Sequence, residues 1–376
     1  MRHGGALRPV GRQSGEERSS LLLTVLVTGA AGLIGGDVCA RLAARGHRVI
    51  GMVRRRAEVL GNDGAPVPLA RMVSGDVTLP LMGLNPVELR CDVVIHCAAS
   101  LVFDAPEPEL EAINVAGTRN ALAFAQAAGA GFLHVSTAYV CGLEEGAIAE
   151  APVPPGRRFA NNYEASKARG EEVVEQWGVP FVIARPSIVL GEHSSGTIRD
   201  FPTLCNVFRL MARGRLSQFP AVEGATLDLV PICHVAEGIA RLAERFDAAQ
   251  GHHVHLSADS PLPARALADA VCRQSHLHHP EVVDPAKVDI SALPRVAQAM
   301  LATYGSYFTR NPRFVADNIT RLTGLTCPPA DAAWIDRLVA YAFTRDYLPS
   351  PSRPSARRDS GAQARRVHPE PSSARP

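Results

Sequence analysis

Three side chains in the middle of this 376-residue chain have the types and order needed to deliver a proton to a carbonyl oxygen: Thr137, Tyr163 and Lys167. Tyr163 and Lys167 are four residues apart, so on a helix both project from one face. Reducing a carbonyl requires a hydride donor and an acid for the developing alkoxide. A phenol of ordinary pKa, about 10, is a poor base for the reverse reaction at neutral pH. A lysine one turn along places a cation beside the phenol and lowers that pKa. The same ammonium can bond the ribose of a nicotinamide cofactor, and the Thr137 hydroxyl helps hold the substrate oxygen beside the phenol. Taken alone, a Tyr/Lys pair at this spacing is usually a surface contact. Its chemical meaning comes from the elements around it.

The chief of these elements is the stretch from Leu22 to Gly36, LLLTVLVTGAAGLIGG. It opens with a short β-branched run that reads as a strand buried on both faces. Gly29, Gly32 and Gly35 follow, and then a helix. Strand, glycine turn and helix form the first unit of a dinucleotide-binding fold. Gly29 permits the tight turn, Gly32 lets the backbone approach the pyrophosphate, and Gly35 lets the helix pack on the sheet. The helical composition runs from Asp37 to Arg45, the free N–H groups of the helix start face the phosphates, and Leu33 and Ile34, between the glycines, are further cofactor-binding candidates.

Further strands are expected at Arg48 to Val53, Arg71 to Ser74, Cys91 to Cys97, Gly131 to Ser136 and Val179 to Ala184. The second ends in Arg54-Arg55-Arg56, where an acid would bind the ribose 2′-hydroxyl of NAD and an arginine the 2′-phosphate of NADP. Glu58 comes too late to serve, so NADP is preferred, with Arg54 the first candidate and Arg55 the second. The third strand runs into Gly75-Asp76-Val77. The fourth runs into Ala98-Ala99, small residues that let a cofactor lie across the strand end. A helix from Glu109 to Ala128 stops at Gly129. The fifth strand leads to Thr137, a long loop from Gly142 to Asn162, and the helix of Tyr163 and Lys167, which runs to about Trp177. The sixth enters Arg185-Pro186. This alternation predicts an α/β protein with a Rossmann-type doubly wound parallel sheet and a smaller C-terminal substrate lobe.

After Gly191 the pattern loosens. Helices are expected over Phe201 to Arg213, Val235 to Phe246 and Ala330 to Phe343, with strands over Leu227 to Val230 and His252 to Leu256. Residues 21–190 read as the NADP-binding core. Residues 191–348 read as a substrate lobe over the nicotinamide end that does not fold alone, with strands and helices that complete the core. The Gly/Arg/Ser-rich residues 1–20 and the Pro/Ser/Arg/Ala-rich residues 349–376 have the composition of disordered ends. The apolar run from Leu21 to Val27 ends in the glycine turn and not in a cleavage site, so a signal peptide is not expected.

A hydrophobic content of 46% with 20% charged residues is that of an ordinary globular protein, and a net charge of +2 gives no reason to expect nucleic-acid binding. No apolar run approaches a membrane span. The eight cysteines show no metal-like spacing. Cys39, Cys91 and Cys97 read as small core residues, and the cytoplasm is the expected location. His252, His253 and His255 alternate as on a strand, so no metal site is expected there.

VSTAYV at Val135 to Val140, NYEASKARGE at Asn162 to Glu171, RPSIVLGEHSSG at Arg185 to Gly196 and LDLVPICHVAEGI at Leu227 to Ile239 resemble the extended short-chain dehydrogenase/reductase superfamily. Within it they resemble the male-sterility/thioester-reductase branch, which includes fatty acyl-CoA reductases and the terminal reductases of carboxylic acid reductases and peptide synthetases. The likeness covers about Leu22 to Ala249. It implies an NADPH-dependent reductase of an acyl thioester or aldehyde, Asp76 bonding the adenine amino group, and Asn114 steadying the active-site backbone. Cys141 stands where an aromatic residue is common, a departure with consequences for the substrate pocket. No adenylation or carrier segment is evident, so a carrier- or CoA-bound substrate is expected to arrive from elsewhere. Other readings are a hydroxysteroid-type dehydrogenase acting on a free hydroxyl or ketone, a nucleotide-sugar epimerase or dehydratase, and an NADP-sensing protein without turnover. Intact Tyr163 and Lys167 speak against the sensor, and the arginine run against NAD-retaining epimerases. Substrate identity and oligomeric state are not legible.

Overall fold

A computed structural model describes residues 22–349 except 104, 203–204, 217, 276–278 and 294. Of the two expected disordered ends, residues 1–20 and 350–376 lie outside the described residues. Seven strands form one parallel sheet: β1 (Thr24–Thr28), β2 (Arg48–Val53), β3 (Arg71–Ser74), β4 (Val93–His96), β5 (Gly131–Val135), β6 (Phe181–Pro186) and β7 (His253–Leu256). Their order is β7-β6-β5-β4-β1-β2-β3. β1 is an interior strand, with Val25 beside Val49 on one side and Val93 on the other. Chain direction across the sheet reverses between β1 and β4, which opens a crevice at the carboxyl ends of the strands.

Alternation within β1 explains its apolar middle, Val25-Leu26-Val27. Val25 and Val27 face a cluster containing Val38 and Leu42 of α1 (Leu33–Ala44), together with Val235 and Ile239 of the helix Ile232–Glu244. Leu26 points the other way, toward Leu122 and Phe124 of α2 (Ala116–Ala128). A strand covered on both faces needs no polar residue on either. α2 stops at Gly129, whose φ of +68° closes the helix with a left-handed cap. The helix expected from Glu109 is a composite: a turn over Glu107–Leu110, a π-helical stretch over Glu111–Val115, then α2.

α3 (Asn162–Gln176) carries the Tyr/Lys pair. Asn161 caps it by accepting from the Glu164 N–H at 2.9 Å, while the Glu164 carboxylate accepts from the Ala160 N–H at 3.1 Å. This reciprocal cap sets where the helix begins and so places Tyr163 in its first turn.

Several expectations are revised. The strand expected over His252 to Leu256 belongs to the main sheet as its edge strand, paired with β6. The helix expected from Phe201 covers only Asn206–Ala212, because Pro202 disfavours helical backbone at the residue before it. The loop from Gly142 to Asn162 contains a strand, Gly146–Ile148, that pairs with the distant Pro312–Phe314. The lobe's core also draws on residues before Gly191, including Ala138, Tyr139 and Leu190. Trp334, fully buried, donates from Nε1 to the Gly191 carbonyl at 3.2 Å and ties the last helix (Ala332–Thr344) to the end of the core.

Candidate active site

The crevice at the strand ends is a continuous cleft of about 920 Å³. It collects nearly every residue singled out from the sequence. Gly29, Gly32, Leu33, Ile34 and Gly35 line one end, Arg54, Arg55, Asp76 and Val77 a second wall, and Ala98, Ala99 and Pro186 the floor. Thr137, Tyr163 and Lys167 line the other end.

The glycine turn is shaped for an anion. Gly29 has φ +66°, and a Cβ there would lie 2.7 Å from the Ala98 nitrogen. A Cβ on Gly35 would lie 2.4 Å from the Gly29 carbonyl, so this glycine is needed for close packing within the turn itself. At Gly32 the nearest protein atom to a Cβ is the Gly29 carbonyl at 3.1 Å, and the glycine borders the cleft. α1 has no acidic residue in its first turn and no side-chain cap at Gly32. Its first amides, at Leu33 and Ile34, therefore lack an anionic partner from their own helix and suit the diphosphate of a dinucleotide.

Arg54 and Arg55 are exposed at the rim. Asp76 lies between this rim and the floor. Its carboxylate accepts from the Thr78 N–H at 2.9 Å and the Thr78 hydroxyl at 2.8 Å. Those two bonds, with lesser help from Arg54 and Arg55, hold the carboxyl below its usual range.

At the other end, Tyr163 is 7% exposed and Lys167 2% exposed. Lys167 Nζ donates to the Val135 carbonyl at 2.9 Å and lies 3.3 Å from His134 Nε2. Burial brings this ammonium down to about 8, against the opposing pull of Glu171 and Cys97. The phenol of Tyr163 is pushed above its ordinary value, first by burial and then by the neighbouring Glu164 carboxylate. The expected lowering of the phenol by Lys167 is not seen: burial and the Glu164 carboxylate set the direction. A protonated phenol suits the reducing direction, in which it gives up its proton. Thr137, at the end of β5, accepts from the Tyr139 N–H at 3.3 Å, leaving its own hydroxyl proton to donate.

Asn114 binds the two halves of this end together. Its amide donates to the Ser166 hydroxyl at 2.9 Å and the Ser100 carbonyl at 3.1 Å, and its oxygen accepts from the Ser100 N–H at 2.8 Å. Ser166 in turn donates to the Tyr163 carbonyl at 2.8 Å. Asn114 lies in the π-helical stretch, a device that re-aims a side chain within a helix and is frequent at functional sites.

Other participants were not legible. Phe103 lies edge-on to Tyr163, with ring centroids 4.9 Å apart, and also touches Tyr304 and Tyr307. Phe103, Tyr304 and Tyr307 all line the cleft, which gives it an aromatic wall beside Tyr163. Behind it, Arg310 lies over the rings of Tyr139 and Tyr307, at 4.9 and 4.6 Å, and pairs with the fully buried Glu164. No periodicity or motif marks Arg310 or Phe103, because their roles depend on segments that fold back from far along the chain. Cys141 is buried in the lobe core and does not line the cleft, so its departure from an aromatic residue does not reshape the pocket wall directly. Cys39 and Cys91 are buried free thiols, and Cys97 is half-buried. Glu171, Glu175 and His253 approach within 4.8 Å of one another. Arg185 already supplies the cation there, bonding both Glu171 oxygens at 3.0 and 2.6 Å, and His253 pairs with Glu175 at 2.7 Å. Among the described residues, no helix is long and apolar enough to cross a membrane.

The fold has close counterparts. The terminal R domain of the myxalamid PKS-NRPS pathway superposes with a TM-score of 0.73 at 24% identity, over 89% of this chain and 93% of that one. In sequence, the hybrid PKS-NRPS synthetase mpsA of Macrophomina phaseolina is 30% identical over 254 residues, which is 62% of this chain and 6% of the synthetase. Fatty acyl-CoA reductase 1 of Arabidopsis thaliana is 25% identical over 265 residues, 54% of each chain. Residues 27–239 match the family described as male sterility protein, whose domain binds NAD-type cofactors. That match runs from β1 to the helix Ile232–Glu244 and takes in the glycine turn, Asn114, Thr137, Tyr163 and Lys167. The chain therefore belongs to the male sterility protein family, within the thioester-reductase branch of the extended short-chain dehydrogenases/reductases.

Proposed function

We propose that the protein is an NADPH-dependent reductase of acyl thioesters, with Tyr163 as the proton donor, Lys167 as its supporting cation and Thr137 as the second donor to the substrate oxygen. The observation that carries this reading is the single cleft that unites the anion-ready glycine turn with Tyr163 and Lys167. The relatives support the same reading: a fatty acyl-CoA reductase in sequence and, in fold, the terminal R domain of a PKS-NRPS pathway.

When bound, the nicotinamide supplies a hydride to the carbonyl carbon. The chain's own residues do the rest. The Leu33 and Ile34 amides hold the diphosphate, and Arg54, with Arg55 behind it, takes the adenosine 2′-phosphate. Asp76 and Val77 border the adenine, while Ala98, Ala99 and Pro186 leave room across the floor. Lys167 would bond the ribose hydroxyls. As the carbonyl oxygen gains charge, the Tyr163 hydroxyl transfers its proton to it and Thr137 donates a hydrogen bond. The resulting hemithioacetal collapses by breaking its carbon–sulfur bond, which releases the thiol and leaves an aldehyde. A CoA or carrier-protein thioester, brought by another protein or segment, fits this scheme. One structural neighbour, at 20% identity, is itself a thiolation-reductase di-domain from an archaeal non-ribosomal peptide synthetase.

The deciding experiment measures NADPH oxidation with acyl-CoAs, acyl-carrier thioesters, free aldehydes and ketosteroids. Thioesters are expected to be turned over with stoichiometric release of thiol. Turnover of ketosteroids alone would replace this reading with a dehydrogenase of free ketones.

A further inference from the structure

Arg199 belongs to the segment that enters the lobe, yet its side chain reaches back to the nucleotide end of the cleft. Nη2 donates to the Ala31 carbonyl, inside the glycine turn, at 3.2 Å. Nη1 donates to the Leu60 carbonyl and, at 3.5 Å, to that of Gly61, in the loop beyond β2. Its backbone N–H donates to Asn62 Oδ1 at 3.1 Å, and Asn62 Nδ2 donates to the Thr197 carbonyl at 2.9 Å. A Cβ on Gly36 would meet the Leu60 carbonyl at 2.1 Å and Arg199 Nη1 at 3.0 Å, so Gly36 makes room for this junction.

The electrostatics are uneven. The Arg199 side chain is 12% exposed, and its partner carboxylate, Asp200 at 2.9 Å, is 65% exposed. Exposed pairing neutralises little. A mostly buried guanidinium is thus held chiefly by main-chain carbonyls, next to the turn whose open amides suit an anion. Carbonyls orient the cation without cancelling its charge. The Ala31 peptide is fixed on both sides, since the following N–H, at Gly32, is bonded to the Gly29 carbonyl at 2.9 Å.

We propose that Arg199 is a positioning residue for the cofactor: from the lobe it orients the Ala31 peptide of the glycine turn and supplies positive charge to the diphosphate site. Arg199 stands behind the cleft lining, while Ala31, which it holds, and Asp200, Phe201 and Pro202, next in the chain, line the cleft itself. The segment therefore joins cofactor affinity to the position of the lobe.

The test compares wild type with Arg199→Met, which keeps length and packing, and Arg199→Lys, which keeps the charge. Each is titrated with NADPH by fluorescence at low and at moderate salt, and melted without cofactor. Arg199→Met is expected to bind NADPH ~10–100-fold more weakly at low salt, as for loss of a charge-assisted contact. Its affinity should also fall less steeply with salt than that of wild type, because one cation no longer acts on the diphosphate. Arg199→Lys should keep the wild-type salt dependence at reduced affinity. If Arg199→Met does not fold, the Arg199→Lys titration decides alone: affinity equal to wild type, or a flattened salt dependence, would overturn the proposal. For a folded Arg199→Met, unchanged affinity would do the same. So would weaker binding with wild-type salt dependence, which would leave Arg199 only a structural tie.

Discussion

Lys167 donates its ammonium to the Val135 carbonyl at 2.9 Å, so the cation of the site is anchored to the strand that leads into Thr137. Helix and strand thereby hold Tyr163, Lys167 and Thr137 as one unit, and substitutions within it should be distinguishable. Tyr163→Phe keeps the ring against Phe103 but removes the proton, and should lower turnover ~10²–10⁴-fold with NADPH affinity nearly unchanged. Thr137→Ser should retain much of the rate and Thr137→Ala should not. Steady-state rates beside cofactor titrations check this; a wild-type rate in Tyr163→Phe would make another group the acid.

The pH dependence follows from Lys167. Burial places its pKa at about 8, so the ammonium is present below that pH and lost above it. Turnover at saturating cofactor should decline as pH rises through about 8. The stability effect has the opposite sense. The folded value is depressed from 10.5, so this group's contribution is present above the unfolded value and lost as pH falls through about 8. Lys167→Met should therefore melt above wild type at neutral pH, with the gap closing in alkali. Thermal melts across that range provide the measurement, and a gap that widens with pH would contradict the assignment.

The glycines of the turn should separate folding from binding. Gly35→Ala puts a Cβ 2.4 Å from the Gly29 carbonyl and should destabilise the chain by about 1–3 kcal/mol. In Gly32→Val the added bulk enters the cleft, so the melting temperature should hold while NADPH binding is lost. Normal NADPH affinity in a folded Gly32→Val would move the phosphates elsewhere.

Arg54 tests the choice of cofactor. An Arg–phosphate contact is worth about 1.5–3 kcal/mol, or roughly tenfold to a hundredfold. Wild type should prefer NADPH over NADH by that margin, and Arg54→Ala should lose most of the preference by weakening NADPH alone. Equal affinities for the two cofactors in wild type would remove the 2′-phosphate from the argument.

Arg310 tests how the lobe supports the catalytic helix. Its guanidinium meets Glu164 at 2.5 Å, and the Tyr307 hydroxyl donates to the same carboxylate at 3.0 Å. Removing one member of a buried pair leaves the other uncompensated, at a cost of about 3–5 kcal/mol. Arg310→Met should show that loss by denaturant titration, and adding Glu164→Gln should recover a good part of it. Strict additivity of the two changes would mean that the pair is not coupled.

The sequence by itself determined the parallel sheet, the glycine turn and the order of Thr137, Tyr163 and Lys167. These are local matters: β-branched runs make buried strands, glycines make tight turns, and a spacing of four puts two side chains on one helix face. Tertiary structure decided what no local rule reaches. It joined His253–Leu256 to the main sheet, paired Gly146–Ile148 with Pro312–Phe314, and put Phe103 against Tyr163. At Tyr163, burial and the Glu164 carboxylate raise the phenol, where the lysine one turn along was expected to lower it. Arg199 and Arg310 show the same divide. In sequence each is one arginine among many, and only the return of the lobe onto the core gives each a buried set of partners 100 or more residues away.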